Sequence, residues 1–406
     1  MNSASETSKE HQWLMVIADT ALLLFAAISF VYSVVTALGN GKDLATFQVI
    51  GRAWAAGVYR TGEGPLFGYP PFASVLLAPF ALLSFDQLRA VFVAVNLLAT
   101  VAILLLVKRL WGEAWPAKAY VYLAALVICW APFRVTVRNG QISLIITTLV
   151  LGSLLARKRG ASVLAGLLLG LSLCKYPLTL PFVLYFVWRR EWKIAAAAGL
   201  TVALLTEAFA LRLGLSLFDV TGDYVRGMLH ISITNSVVFA GVTEIGPLLF
   251  ALTGNEQFAD WLNITLIFIA ALAMCLVFWK TPHREEFHIT ILTFFSLWFV
   301  YHRVYDAVIC VLPAAVFFDL IVRGRARKLG SICVAALGLL AVSVPGLLTE
   351  RLHLSGERLA ANPLGLLGLH LERLLVFVMF WSLLILLWNR RSRDRGEPGS
   401  LIAIEC

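Results

Sequence analysis

Charged side chains are scarce in this 406-residue chain, where Asp, Glu, Lys and Arg make up 14% of the residues against about 25% in ordinary soluble domains. That scarcity excludes a water-soluble globular protein. The six cysteines, Cys129, Cys174, Cys275, Cys310, Cys333 and Cys406, are scattered. With no pair at metal-ligand spacing, neither a disulfide framework nor a metal site is expected of them. No internal repeat is evident, which weighs against an inverted-repeat transporter. No continuous basic stripe forms either. The net charge of +9 is spread as short clusters between apolar runs, a topogenic pattern that argues against a nucleic-acid partner.

What is there is grease. The chain is 60% hydrophobic, with a mean hydropathy of +0.84. Its apolar runs are long and unbroken rather than short and alternating, which selects helices over a barrel. The expected fold is an all-α integral membrane protein, one polytopic unit over residues 1–406 without a soluble module. Met1 to Gln12 is polar and mixed in charge, and the apolar stretch from Trp13 to Leu38 is long enough to read as a retained anchor.

Basic clusters set the topology: Lys108, Arg109 and Lys118; Arg157 to Arg159; Arg189, Arg190 and Lys193; Lys280 and Arg284; Arg323 to Lys328; and Arg390 to Arg395. Each should face the cytoplasm. The alternation gives about twelve membrane-spanning helices with both termini cytoplasmic. They fall near 13–38, 87–107, 117–133, 141–156, 161–174, 177–188, 194–212, 259–279, 287–301, 304–322, 329–348 and 369–388. This leaves a first extracytoplasmic loop at 39–86, a second at 213–258 and a cytoplasmic tail at 389–406. Tyr69 to Phe85 and Phe239 to Thr253 must then be interfacial or re-entrant helices, because letting them cross would move basic clusters outside. Pro70 and Pro71 suit the start of such a helix.

This topology gathers polarity on the outer side. The first loop, between apolar regions, carries Asp43, Arg52, Tyr59, Arg60, Glu63 and Tyr69. Arg134, Arg138, Asn139 and Gln141 join it, then Lys175 and Tyr176, then Asp219, Asp223, Arg226 and His230, then Tyr301 to Asp306, and last Arg351, His353, Glu357 and Arg358. Cations on the side that topology depletes must serve something other than orientation. An anionic ligand headgroup is the simplest candidate.

An acid soon after the first span (Asp43), a YPPF run (Tyr69 to Phe72), a GQ run (Asn139, Gly140, Gln141), a KYP run (Lys175, Tyr176, Pro177) and a late histidine-bearing run around His302 together resemble the polyprenol-phosphate-sugar-dependent glycosyltransferases of family 87, in the GT-C superfamily. The resemblance covers the first half of the chain well and the second half loosely. It implies a GT-C-type helical bundle in a bacterial inner membrane. It also implies transfer of a hexose, mannose first, from a polyprenyl-phosphate sugar to a lipid or glycan acceptor on the extracytoplasmic face. The family's first-loop acid falls on Asp43, which implies a general base, and here it has no neighbouring acid.

The chemistry of such a transfer needs one carboxylate to take the acceptor proton and cations to meet the departing phosphate. It needs neither a nucleophilic Ser or Cys nor a cofactor. Asp43 is the expected base, with His302 orienting it, sharing its proton or contacting phosphate. Arg138, Gln141, Lys175 and Arg303 are the expected donor-binding residues, with Tyr69 as a sugar-stacking candidate that, with Pro70, Pro71 and Phe72, reads first as an architectural anchor at the head groups. Asp43 could equally be a helix-end residue, Lys175 could snorkel to the interface, and the His302 run could be an aromatic and basic belt. Asp219, Asp223 and Asp306 are rivals to Asp43, more simply read as structural or paired with Arg226 or Arg303. A transporter or flippase of an anionic lipid or lipid-linked glycan is the alternative function. It would place polar residues at the bilayer midplane, where Glu207 is the one exception noted. A scaffold subunit and a ligase that transfers a whole glycan are weaker readings.

Overall fold

A computed structural model describes residues 3–58, 69–229, 245–299, 302–344, 348–349, 352–355, 359 and 362–394. Tyr59, Arg60, Glu63, His230, Tyr301, Arg351, Glu357 and Arg358 lie outside these residues, as do 239–244 and 395–406. Among the described residues there is no β-strand.

The chain opens with α1 (Ser3–Gly39), which leads into two short elements: α2 (Leu44–Ala55) and α3 (Pro71–Leu77), the latter extended by a 3-10 helix over Ala78–Leu82. Pro70 is extended and Pro71 starts α3, where a missing N–H costs nothing. The twelve apolar residues Pro71–Leu82 are too short to cross about 30 Å of hydrocarbon. They pack instead on α2, whose Gln48 and Arg52 side chains donate to the carbonyls of Leu83 and Ala81 at 2.7 and 3.2 Å. The expected interfacial helix is therefore part of a folded first loop.

The bundle follows as α4 (Phe85–Val107), α5 (Ala117–Cys129), α6 (Ala131–Asn139), α7 (Ser143–Lys158), α8 (Ser162–Ser172), α9 (Tyr176–Trp188) and α10 (Trp192–Leu213). Ser84 caps α4 in a reciprocal box with Gln87. Then come α11 (Leu217–Leu229), α12 (Gly246–Thr253), α13 (Glu256–Lys280), α14 (Glu285–Phe299), a 3-10 helix over Val304–Cys310, α15 (Val311–Val322), α16 (Arg327–Val342) and α17 (Pro363–Asp394).

Seven described helices are long and apolar enough to cross a membrane, and an eighth crossing results if the α5–α6 pair, bent by 56°, is one span. The count of about twelve is not confirmed by that measure. One reason is length: α7, α14 and α16 have 16, 15 and 16 residues. The other is that Ser162–Trp188 counts as one stretch of 27 residues, although it does not run straight. A straight helix of that length would separate its ends by about 40 Å. Arg157, just before it, instead reaches Glu191, just after it, with Nε 2.6 Å from the carboxylate. The Thr179 hydroxyl also donates back to the Ser172 carbonyl at 3.2 Å. The segment therefore reverses at Lys175, as the expected short pair 161–174 and 177–188 requires.

Close packing holds the pair against α10. A Cβ on Gly166 would lie 2.5 Å from the Ile194 carbonyl oxygen, and one on Gly170 would lie 2.8 Å from that of Ala198. Small residues here let backbones approach within the membrane. Val304–Val322 is almost wholly enclosed, whereas α1 and α13 leave most of their apolar surface open. Leu24, Phe25 and Ile28 on α1 and Phe268 and Trp279 on α13 are more than half exposed. Such faces are stable against lipid and costly in water. The protein is an integral membrane protein.

Polar contacts concentrate at two ends of this bundle. One end holds Asp43, Gln141, Lys175 and His302. The other holds Arg157 with Glu191 and Glu285, and Asp319 with Trp115 and Arg323.

Candidate active site

The first loop is sewn to α6 through its backbone. Gly41 N–H donates to the Arg138 carbonyl and Asp43 N–H to the Asn139 carbonyl, both at 3.1 Å. Gly140 ends α6 at φ +70°, and a Cβ there would stand 2.4 Å from Leu44 Cγ. Only glycine satisfies both the left-handed backbone and that approach. The turn brings Gln141 under Asp43: Gln141 Nε2 donates to Asp43 Oδ2 at 2.8 Å. The Gln141 carbonyl oxygen accepts from the Tyr69 hydroxyl at 3.1 Å and from Lys175 Nζ at 3.3 Å. Burial, with Asp306 and Asp43 nearby, pushes the Tyr69 hydroxyl above its ordinary range, so it remains a donor.

Lys175 sits at the α8–α9 reversal, 7% exposed. Besides Gln141, its ammonium donates to Ser143 Oγ at 2.8 Å and to Asp306 Oδ1, and it lies 4.4 Å from the centre of the Tyr305 ring. An ammonium has three N–H donors. All three are directed at protein acceptors, so Lys175 balances Asp306 and props Gln141 instead of presenting an open charge.

Asp306 is buried, at 3% exposure. Its Oδ1 accepts from Ser143 Oγ at 2.7 Å and its Oδ2 faces His302 Nδ1 at 3.1 Å. A carboxylate only accepts, so Nδ1 carries the proton. His302 Nε2 is buried and without a hydrogen-bond partner among the described residues. The sequence reading of Asp306 as structural or paired agrees with its burial and its bonds to Lys175, Ser143 and His302. Lys175 reaches Asp306 from another hairpin, and the Arg303 backbone carbonyl accepts from Asp306 N–H at 2.8 Å.

Asp43, Gln141, Tyr69, Lys175 and His302 are thus drawn into one linked cluster. Arg138 enters through its backbone, and Arg303 lies close enough to Lys175 and Tyr305 to act on them electrostatically. Asp219 and Asp223 stand apart on α11, the first bonded to Ser216 at 2.6 Å and the second paired with Arg226. Glu207 is half-buried on α10. Sequence reasoning missed Ser143 and ranked Asp306 as structural. The i, i+4 spacing of His302 and Asp306 was a signal for the latter, and nothing local marked Ser143. It also passed over His370, Glu372 and Arg373, buried on α17.

Asp43 is chemically distinct in this cluster. It is half-buried, accepts from one neutral amide, and forms no ion pair among the described residues. Asp306 is already neutralised by Lys175. The arrangement therefore holds one open carboxylate and one open imidazole nitrogen, both oriented by a second layer of hydrogen bonds. Among the described residues no group of three His, Cys, Asp or Glu side chains converges as metal ligands do.

The profile of Glycosyltransferase family 87 matches residues 67–300, more than half of the chain. The polyprenol-phosphate-mannose-dependent alpha-(1-2)-phosphatidylinositol mannoside mannosyltransferase of Mycolicibacterium smegmatis is 33% identical over 193 residues, 42% of this chain and 43% of that protein. The protein of the same description from Mycobacterium tuberculosis is 28% identical over 259 residues, 56% of this chain and 58% of that one. An alpha-(1->3)-arabinofuranosyltransferase of Mycobacterium tuberculosis is 30% identical over 171 residues, 40% and 39% of the two chains. The chain spans about half the length of the curated relatives it matches. No solved structure matches it significantly.

Proposed function

The chain belongs to glycosyltransferase family 87, and from that premise we propose that it transfers a hexose, mannose first, from a polyprenyl-phosphate donor to a lipid or glycan acceptor. The single observation that carries the reading is the open Asp43 carboxylate, held by Gln141 at 2.8 Å at one polar end of an otherwise apolar bundle. In this reading residues 1–406 act as one polytopic unit in a bacterial inner membrane. The cluster faces the extracytoplasmic side and the termini face the cytoplasm, because the basic clusters lie at the opposite end.

The proposed step is a single displacement. Asp43 takes the acceptor hydroxyl proton as that oxygen attacks the anomeric carbon. The bond from that carbon to the phosphate oxygen breaks, and its electron pair leaves with polyprenyl phosphate. General-base help of this kind contributes roughly 10²–10⁴-fold. Arg138 and Arg303 meet the charge that grows on the phosphate, and His302 Nε2 bonds a substrate hydroxyl or the leaving phosphate. Lys175 serves from behind, by fixing Gln141 and balancing Asp306. Tyr69 and Gln141 border the sugar. Because cations meet the leaving charge, the reaction calls for no resident metal or organic cofactor.

The relatives named arabinofuranosyltransferases give the second reading a specific footing: the same machinery with a pentofuranosyl donor. Transfer of labelled sugar is the test, with polyprenyl-phosphate mannose, glucose and arabinofuranose as donors. Membranes containing wild type or Asp43→Asn at matched protein levels are compared. Mannose transfer that falls at least a hundredfold in the variant, with donor binding retained, is the expected result. Unchanged transfer would move the base elsewhere, and transfer only from the arabinose donor would select the second reading. No transfer from any donor, with export of a lipid-linked glycan instead, would select a flippase.

A further inference from the structure

The end of the bundle opposite Asp43 bears a half-open pocket of about 420 Å³ that the proposed transfer does not use. Its walls come from segments far apart in the chain: the end of α7, the turn between α13 and α14, and the turn between α15 and α16. These bring Arg157, Lys158, Arg284 and Arg325 around one space, against the carboxylates of Glu285 and Glu286. Arg157 is already engaged, by Glu191 at 2.6 Å and by Glu285. Cancelling that pair leaves Lys158 and Arg325 facing Glu286. Lys158 spends one N–H on the Leu110 carbonyl at 3.0 Å, which leaves two for a ligand. The floor is apolar, formed by Leu154, Phe287 and Leu320.

Orienting a chain in a membrane needs only basic residues in its short loops. It does not need them to converge on a cavity with an apolar floor. A basic rim over an apolar base at the ends of membrane helices suits a phosphate attached to acyl chains, and the volume lies within the range of small-ligand sites, roughly 300–1,000 Å³. We infer that this cavity binds the phosphate of an anionic ligand, with a phospholipid headgroup of the adjoining leaflet as its occupant. A soluble phosphate shares the chemistry, and the experiment below separates the two sources.

The full chain is purified in a neutral detergent, and its unfolding midpoint and native mass spectrum are followed with phosphatidylglycerol, phosphatidylcholine and inorganic phosphate. Wild type is compared with Lys158→Gln/Arg325→Gln and with the charge-preserving Lys158→Arg/Arg325→Lys. Phosphatidylglycerol is expected to stay bound and raise the midpoint of wild type. The first variant should bind it about thirtyfold more weakly, the factor for two cations facing an anionic headgroup, and the second should bind like wild type. Protection by inorganic phosphate that matches the lipid would keep the anion site and assign it to a soluble ligand. Two results would overturn the inference: equal retention of phosphatidylcholine and phosphatidylglycerol, or equal affinity for phosphatidylglycerol in wild type and the Lys158→Gln/Arg325→Gln variant.

Discussion

Lys175 and Asp306 were each visible as polar residues in apolar surroundings, yet their sequence positions gave no reason to pair them. At 131 residues apart they meet only because two hairpins end side by side. Removing one partner of a buried ion pair leaves the other charge uncompensated, which costs about 3–5 kcal/mol. Lys175→Met should therefore destabilise the protein by that amount in detergent unfolding. Lys175→Met/Asp306→Leu should recover much of the loss, since an apolar pair of similar volume is often neutral. Transfer should not recover with it, because His302 Nδ1 would have lost the carboxylate that orients it. Recovery of both stability and transfer in the double variant would reduce this pair to packing. Asp43, by contrast, was legible from its place after the first apolar run and before the YPPF run.

The decisive small element is the turn from α6 into α7. Gly140→Ala would force a side chain into a left-handed backbone and against Leu44. The two penalties together come to about 2–5 kcal/mol. Because the same turn carries Gln141 and the carbonyl that accepts from Asp43 N–H, transfer should fall further than stability does. Adding Leu44→Ala should return the packing share and leave the backbone share. The measurement is the unfolding midpoint beside the transfer rate for each variant. Pro70 and Pro71 announced α3 in the sequence, as did the Ser84 to Gln87 box for α4, since both signals are local. The reversal at Lys175 was legible as two short apolar runs. The stitching of the first loop to α6 was not, because backbone hydrogen bonds between Gly41 and Arg138 leave no mark on side-chain pattern.

Across the whole molecule the two polar ends must lie on opposite sides of the membrane if the bundle spans it as proposed. Single cysteines at the exposed positions Lys42 and Ser216 should react with an impermeant maleimide in intact cells. Those at Arg159 and His283 should react only after the membrane is opened. Reaction of Lys42 and His283 positions from the same side would overturn the topology and with it the site's proposed face. The number of crossings shows where sequence and structure part. Hydropathy alone established a helical membrane protein, because lipid leaves a long apolar chain no other way to satisfy its backbone. The sidedness expected of the basic clusters and the candidacy of Asp43 rest on residue type and local order. Only the tertiary structure decided that Gln141 is held between Asp43 and Lys175, that Lys175 has no donor to spare, and that Asp306 belongs to His302 and Ser143. Those are distances between groups up to 163 residues apart, fixed by how short helices reverse and pack.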